Sequence, residues 1–141
     1  MLDLIVAQAA CGMMRVMQSR SITLYGIPNC DTVKKARLWL SDQGQTVRFH
    51  DFTTAGVPLA QLDLWLAALG WESVVNRKGR MWRKLDDAAK AAVVDAASSR
   101  ALLLTQASII KRPIVDWGGV GTGPFTVGFK EADWTKRLQV F

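Results

Sequence analysis

The chain has 141 residues, of which 50% are hydrophobic and 21% are charged, and its formal net charge is +6. This length suits one domain that buries its own core, and the composition excludes an intrinsically disordered protein. The basic excess favours anionic partners, such as an oxyanion, the carboxylates of a peptide thiol or a nucleic acid. A solvated basic face explains the charge equally well.

The first 20 residues differ in character from those that follow. Residues 1–10 are apolar, but this stretch is shorter than the ~20 residues that span a bilayer. The lack of early basic residues argues against a secretory signal. We therefore expect an N-terminal extension at residues 1–20, disordered or part of an over-long start with Met17 as alternative initiator, and a domain at residues 21–141. Cys11, in the extension, is expected to be incidental rather than catalytic.

A candidate reactive thiol follows the first strand of this domain. An apolar strand, Ile22–Tyr25, runs into a turn, and Cys30 stands where a helix of about Asp31–Gln43 should begin. The unpaired N–H groups and positive dipole end of a first helical turn favour a thiolate, and Lys34 and Lys35 add positive charge. Cysteine is nucleophilic in its thiolate form. We therefore favour a reactive Cys30 over the alternative, a small apolar residue packed in the core.

The cysteine pattern bears on how such a thiol would work. The chain has two cysteines and no CxxC pair, because the position three residues after Cys30 holds Val33. No disulfide framework is implied, which suits a reducing cytoplasm. A catalytic cycle through Cys30 would therefore need a resolving thiol from another molecule.

A second strand is predicted at Thr46–Phe52, after a helix that should end with Gly44 as its C-cap. Strand, helix and strand of this length form a βαβ unit, so the two strands should be parallel. His50 fits a strand position beside Asp51 better than a metal site, because the sequence offers no second cluster of ligand residues. We therefore predict no metal centre.

The stretch from Pro58 to about Gln106 has a helical pattern. A leucine-rich helix should end at Gly70, and an alanine-rich helix should cover Asp86–Ala97. The leucines and tryptophans of this stretch are expected in the core. Between the two helices, Val74–Leu85 is predicted to be a basic loop, too polar for the core.

The last third returns to strand character. We predict strands at Ile109–Asp116 and Phe125–Gly128, joined into an antiparallel hairpin, and a closing helix at Lys130–Val140. The glycine-rich connection, Gly118–Pro124, is not followed by the lysine and serine of a phosphate-binding P-loop. A hairpin turn is therefore the favoured interpretation.

Several motifs occur in the order found in one known family. They are Ile22–Ile27, Asn29–Thr32, Lys34–Arg37, Arg48–Asp51, Leu69–Glu72, Trp82–Leu85 and Ile109–Pro113. On these residues the chain from about Ser21 to Phe141 resembles the ArsC/Spx/YffB family of thioredoxin-like proteins, and within it the YffB-type branch. The resemblance implies an α/β, thioredoxin-like fold, with a mixed four-stranded sheet and a helical insertion between its two halves.

The resemblance also implies roles for particular residues. Cys30 would be the catalytic nucleophile, and Arg112 would approach it from the strand side as the second catalytic residue. Pro113, which follows, is commonly a cis proline in this fold, and X–Pro bonds adopt cis at low cost.

The chain departs from the family pattern at several positions. Arsenate reductases of this family hold the oxyanion with several arginines, whereas Phe129 stands where one of them is found near the last strand. The segment usually written Asn-Thr-Arg-Gly reads Asn76-Arg77-Lys78-Gly79, so its basic charge is shifted. Gly26 replaces a histidine before the catalytic loop, and Val33 removes the second cysteine common in Spx-type regulators. These departures argue against arsenate as the physiological substrate.

Our leading hypothesis is a glutathione-dependent thiol reductase or transferase. The Cys30 thiolate would attack an electrophilic substrate or accept glutathione as a mixed disulfide, and a second thiol would resolve it. The residues expected to bind substrate or glutathione are Asn29, Thr32, Lys34, Arg77, Lys78 and Pro113.

The expected partners follow from this hypothesis. Glutathione or another small thiol would be a co-substrate rather than a bound cofactor, with glutaredoxin as a further candidate partner and an anionic small molecule as substrate. We expect no membrane or nucleic-acid partner and a cytoplasmic location. Two alternatives stay open: arsenate reduction through a Cys30–arsenate adduct, and an Spx-like protein that binds RNA polymerase.

Overall fold

The structure is a computed structural model that describes residues 21–139. The predicted N-terminal extension, with Cys11, lies outside the described residues. The elements are, in chain order, β1 (Ser21–Gly26), α1 (Asp31–Asp42), β2 (Thr46–Asp51), α2 (Phe52–Ala55), α3 (Leu59–Leu69), α4 (Trp71–Val74), α5 (Arg80–Arg83), α6 (Asp87–Ala91), α7 (Ala96–Thr105), a 3-10 turn (Ala107–Ile109), β3 (Ile114–Asp116), β4 (Phe125–Val127) and α8 (Glu131–Gln139).

Four strands form one mixed sheet within residues 21–139, in the order β2-β1-β3-β4. β1 pairs in parallel with β2, and Leu24 lies opposite Phe49. β3 pairs antiparallel with both β1 and β4, so that Val115 lies between Leu24 and Thr126. The helices α2 to α7 lie between β2 and β3 in the chain. The predicted mixed sheet, parallel first pair, closing hairpin and helical insertion are therefore confirmed.

The central strand β1 is buried on both faces, which explains its continuous apolar run. Ile22 and Leu24 pack with α1 and α8, in a cluster that includes Val33 and Trp134. On the other face, Tyr25 packs against the insertion, in a cluster that includes Trp65, Leu62, Leu103 and Ile110. The sheet thus separates two apolar layers, and α1 belongs to the first.

Helix α1 has the predicted amphipathic pattern. Its buried residues are Val33, Ala36 and Leu40, whose spacing of three and four places them on one face. The C-cap is Gln43 rather than the predicted Gly44. Gly44 follows with a φ of 74°, the left-handed conformation that glycine adopts without a Cβ penalty.

The predicted single helix over Asp86–Ala97 is wrong, because the segment contains the whole of the short helix α6 and the start of α7. α6 ends at Ala91, and Asp95 caps α7. The Asp95 carboxylate accepts the Ser98 N–H at 2.9 Å, and the Ser98 hydroxyl in turn bonds the Asp95 N–H. This reciprocal arrangement is a capping box, and its hydrogen bonds lower the pKa of the Asp95 carboxyl.

Other boundaries also differ from the prediction. The basic loop contains the short helix α5, and β3 begins only at Ile114 because Ile110 forms an isolated bridge with Val75. In α3, Leu62, Trp65 and Leu66 are buried as expected, but two leucines predicted to be core residues are exposed, namely Leu59 and Leu64. Among the described residues, no helix has both the length and the apolar character needed to cross a membrane.

The glycine-rich connection of the hairpin is organised by one buried carboxylate. Asp116, at the end of β3, is fully buried and accepts hydrogen bonds from four backbone N–H groups. Their donors are Gly118, Gly119, Gly121 and Gly123, at 2.6 to 3.2 Å. A Cβ on Gly119 would overlap the carbonyl oxygen of Ser21, so the loop lies directly against β1.

We expect Asp116→Ala to lower the free energy of unfolding by about 3 kcal/mol, because it leaves buried N–H groups without acceptors. Urea unfolding followed by circular dichroism measures the effect. The matched control is Asp42→Ala, an exposed carboxylate at the end of α1, which should change stability by no more than about 0.5 kcal/mol. Equal stability of the two variants would contradict this role for Asp116.

Candidate active site

Cys30 occupies the N-cap of α1, where its sequence position predicted a helix start. Its backbone is extended, with φ −142° and ψ 121°, and its side chain makes no capping hydrogen bond. The carbonyl oxygen of Cys30 accepts the first intrahelical bond, from Lys34 N–H at 2.9 Å. The partly buried sulfur therefore lies at the helix end where unpaired N–H groups and the dipole favour an anion.

The position of Cys30 depends on how α1 meets β1. Gly26 ends β1, and a Cβ at this residue would lie 2.8 Å from Val33 Cγ2. Val33 is fully buried. Two of the departures from the family pattern, a glycine in place of a histidine and a valine in place of a cysteine, are therefore in contact with each other.

Cys30 opens onto a cavity of about 340 Å³, which we call the thiol cavity. Its walls come from α1, from the segment before α5, from the segment before β3 and from the segment after β4. The lining residues are Cys30, Thr32, Asn76, Lys111, Arg112, Gly128, Phe129 and Lys130. Three of these side chains are cationic and none is acidic, so the described lining of the cavity favours an anion.

Arg112 lines this cavity and is held by hydrogen bonds to the backbone. Its Nη1 donates to the carbonyl oxygens of Ser108, at 2.8 Å, and Ile110, at 3.4 Å. Its Nε is buried and has no hydrogen-bond partner within the described part of the chain. Since buried donors are nearly always paired in folded proteins, this unpaired Nε is unusual, while Arg112 as a residue lines the thiol cavity.

Pro113 lies behind Arg112 and is buried. The Arg112–Pro113 peptide bond is cis, as the resemblance implied. The Pro113 carbonyl oxygen accepts the Gly128 N–H at 2.9 Å. This hydrogen bond joins the segment before β3 to the segment after β4 at the edge of the thiol cavity.

A second cavity of about 320 Å³ adjoins the first, and we call it the basic cleft. The two share Asn76, Lys111 and Lys130. The other residues that line the basic cleft are Glu72, Ser73, Val75, Arg77, Lys78 and Val127. Arg77 is oriented from two sides: its guanidinium lies 5.3 Å from the centre of the Trp71 ring and 3.8 Å from the Glu72 carboxylate.

The structure brings together only some of the residues predicted for the site. Cys30, Thr32 and Arg112 line the thiol cavity, and Arg77 and Lys78 line the adjoining basic cleft. Two others lie elsewhere. Asn29 is exposed in the turn before Cys30 and lines neither cavity, and Lys34 lines a separate cavity on the outer side of α1 with Arg37 and Leu38.

Sequence reasoning did not assign a binding role to five residues that line the thiol cavity, namely Asn76, Lys111, Gly128, Phe129 and Lys130. Lys111 belongs to the motif Ile109–Pro113, so a signal for it was present. Phe129 was singled out only as a position where the family pattern differs, and Asn76 only as part of a segment whose basic charge is shifted.

The chain is similar to several known proteins. The sequence model of the ArsC family matches residues 25–137. A solved structure named YffB protein is 43% identical, covers 83% of this chain and 98% of its own, and superposes with a TM-score of 0.76. An arsenate reductase (ArsC) related protein from Brucella melitensis is 44% identical, with coverages of 84% and 94% and a TM-score of 0.66.

Two further proteins are also similar to this chain, at lower sequence identity. An uncharacterized protein from Haemophilus influenzae is 36% identical over 113 residues, which cover 80% of this chain and 95% of that protein. An arsenate reductase from Vibrio cholerae is 16% identical with a TM-score of 0.62, over 87% of this chain and 99% of its own. At that identity the likeness concerns the fold alone.

We expect the cationic lining to select charged reagents at Cys30. The measured quantity is the rate of alkylation of Cys30 by anionic iodoacetate divided by the rate with neutral iodoacetamide. At low ionic strength this ratio should exceed the same ratio for the free thiol N-acetylcysteine amide by on the order of tenfold. Mass spectrometry of the Cys30 peptide separates this rate from that of Cys11. The double variant Lys111→Gln/Lys130→Gln should lose most of the excess.

The matched control is Lys136→Gln, an exposed lysine of α8 that lines neither cavity. This variant should keep the wild-type ratio. A wild-type ratio equal to that of the free thiol would show that the lysines do not act on a reagent at Cys30.

Proposed function

Because this chain belongs to the ArsC family, we propose that it is a glutathione-dependent thiol oxidoreductase that acts through Cys30. Family membership and the arsenate-reductase-related neighbours support a thiol-dependent reductase as the general activity. The observation that carries the proposal is the placement of Cys30. Its sulfur lies at a helix N-terminus, in a cavity with three cationic side chains, next to a second basic cleft.

The reaction has two thiol–disulfide exchange steps. In the first, the Cys30 thiolate attacks the glutathione sulfur of a mixed disulfide. A bond forms between the two sulfurs, and the other thiol leaves as a thiolate, which takes a proton from water. In the second, a glutathione thiolate attacks the same glutathione sulfur, which releases oxidised glutathione and regenerates the Cys30 thiolate.

The chain's own residues supply binding and orientation for these steps. Thr32 and the first-turn N–H groups of α1 are donors beside the reacting sulfur. Arg112 adds the positive charge of its guanidinium to the cavity that holds Cys30. Pro113 holds the segment that carries Arg112 through the hydrogen bond from Gly128 N–H to its carbonyl oxygen.

Glutathione fits the basic cleft because it carries two carboxylates. Arg77 is held by Trp71 and Glu72 and can contact a carboxylate through two parallel N–H donors, whereas Lys78 supplies a point charge. Lys34, from outside both cavities, adds positive charge within the first turns of α1.

Arsenate reduction is a second candidate. Lys111, Arg112 and Lys130 form a set of cations suited to an oxyanion beside Cys30. A cycle of this kind would form a Cys30–arsenate adduct that glutathione then releases. The cavity also presents Phe129, which has no donor for an oxyanion oxygen.

We expect Cys30→Ser to abolish turnover of the mixed disulfide of glutathione and 2-mercaptoethanol. NADPH consumption in the presence of glutathione and glutathione reductase measures the rate. Wild type and Cys11→Ser should be active, and Cys30→Ser should show only the uncatalysed rate. Activity of Cys30→Ser equal to that of wild type would overturn the proposal, and NADPH loss that needs arsenate would support the second candidate instead.

A further expectation concerns glutathione binding. Arg77→Ala should raise the KM for glutathione by about tenfold with little change in kcat, because it removes a charge-assisted contact made in both ground and transition states. Arg77→Lys should recover part of the loss. Arg83→Ala is the control, since Arg83 is exposed in α5 and lines neither cavity. An unchanged KM in Arg77→Ala would place glutathione outside the basic cleft.

A further inference from the structure

Phe129 forms a fixed apolar wall in the thiol cavity. It is partly buried and lines the cavity together with Cys30. Its ring centre lies 4.6 Å from that of Trp134, in an edge-to-face arrangement, and 6.1 Å from that of Trp39. Since Trp39 belongs to α1, the helix that begins after Cys30 also holds this wall in place.

Cationic side chains line both cavities, whereas an aromatic side chain lines only one of them. Arg77, Lys78 and the acidic Glu72 line only the basic cleft, and Arg112 and Phe129 line only the thiol cavity. Lys111 and Lys130 line both and therefore lie between them. A ligand that filled both cavities would meet cations in each of them, and among the described lining residues it would meet an aromatic ring only in the thiol cavity, which also holds Cys30.

The size of the two cavities leaves room for an organic ligand. Their volumes, about 340 and 320 Å³, are each at the lower limit of the ~300–1,000 Å³ typical of sites for organic ligands. A small tetrahedral oxyanion would fill only part of one. Phe129 would face such an anion without offering a donor, whereas an apolar group gains by leaving water there.

We propose that the substrate is a mixed disulfide of glutathione and a small apolar thiol, with the apolar half against Phe129. This inference rests on the proposed function and names its substrate class. The glutathione half lies in the basic cleft, and the disulfide lies at Cys30. Two electrons pass from a second glutathione to the sulfur of the apolar thiol, so the products are oxidised glutathione and the free apolar thiol.

The test compares two neutral leaving groups, benzyl mercaptan and 2-mercaptoethanol, each as its mixed disulfide with glutathione. The value of kcat/KM for each is divided by the rate constant for attack of free N-acetylcysteine amide on the same disulfide, which removes differences in intrinsic reactivity. Wild type should prefer the benzyl substrate by at least about tenfold, since even one methylene in an apolar pocket can give this much discrimination.

Substitution of Phe129 then assigns the preference to this residue. Phe129→Gln keeps a side chain of comparable length but removes the apolar ring, and the preference should fall below about twofold. Phe129→Leu, which keeps apolar character, should retain most of it and serves if the Gln variant does not fold. Phe49→Gln is the matched control, because Phe49 is a partly buried phenylalanine of the same apolar cluster that lines neither cavity. It should keep the wild-type preference.

The outcomes separate the two proposals. Turnover of both disulfides with no preference in wild type, or an equal preference in wild type and Phe129→Gln, overturns the assignment of the apolar half and leaves the proposed function standing. No turnover of either disulfide by wild type overturns the proposed function and this inference with it.

Discussion

The first turn of α1 rests against the end of β1 through a contact that leaves no room for a side chain at residue 26. A Cβ on Gly26 would lie 2.8 Å from the fully buried Val33. Because protein interiors are close-packed, this contact fixes the approach of the helix to the strand. Cys30 precedes α1 by one residue, and Arg112 precedes β3, the antiparallel neighbour of β1, by two. The thiol and the guanidinium therefore reach one cavity because both are registered on the same central strand.

The elements around Cys30 are predictable because their signals act over a few residues: a turn dipeptide, an apolar stripe and a glycine after the helix. The insertion is harder. Alanine fits a helix at every position, so composition does not reveal the break before α7, although the capping residues Asp95 and Ser98 mark it. The strand predicted at Ile109–Asp116 is limited to Ile114–Asp116, because Pro113 has no N–H to donate to a strand ladder.

The site itself is predictable only in part. Thr32 and Lys34 are both near Cys30 in sequence, but they line different cavities. The reason is that residues two positions apart on a helix are separated by about 200° around its axis. Asn76 and Lys130 come from segments that are far apart in sequence. Their meeting depends on the strand order, which places the hairpin beside β1, and periodicity carries no information about such long-range pairing.

The buried Val33 bears on how long an adduct on Cys30 would last. One helical turn after the sulfur, the place of a partner thiol is occupied by a valine with no exposed surface. Cys30 is the only cysteine within residues 21–139, so under the proposed function an adduct on it would persist until a thiol from outside this part of the chain reached it. Its lifetime would vary inversely with the concentration of that thiol, and the protein would stay modified for as long as the surrounding thiols were depleted.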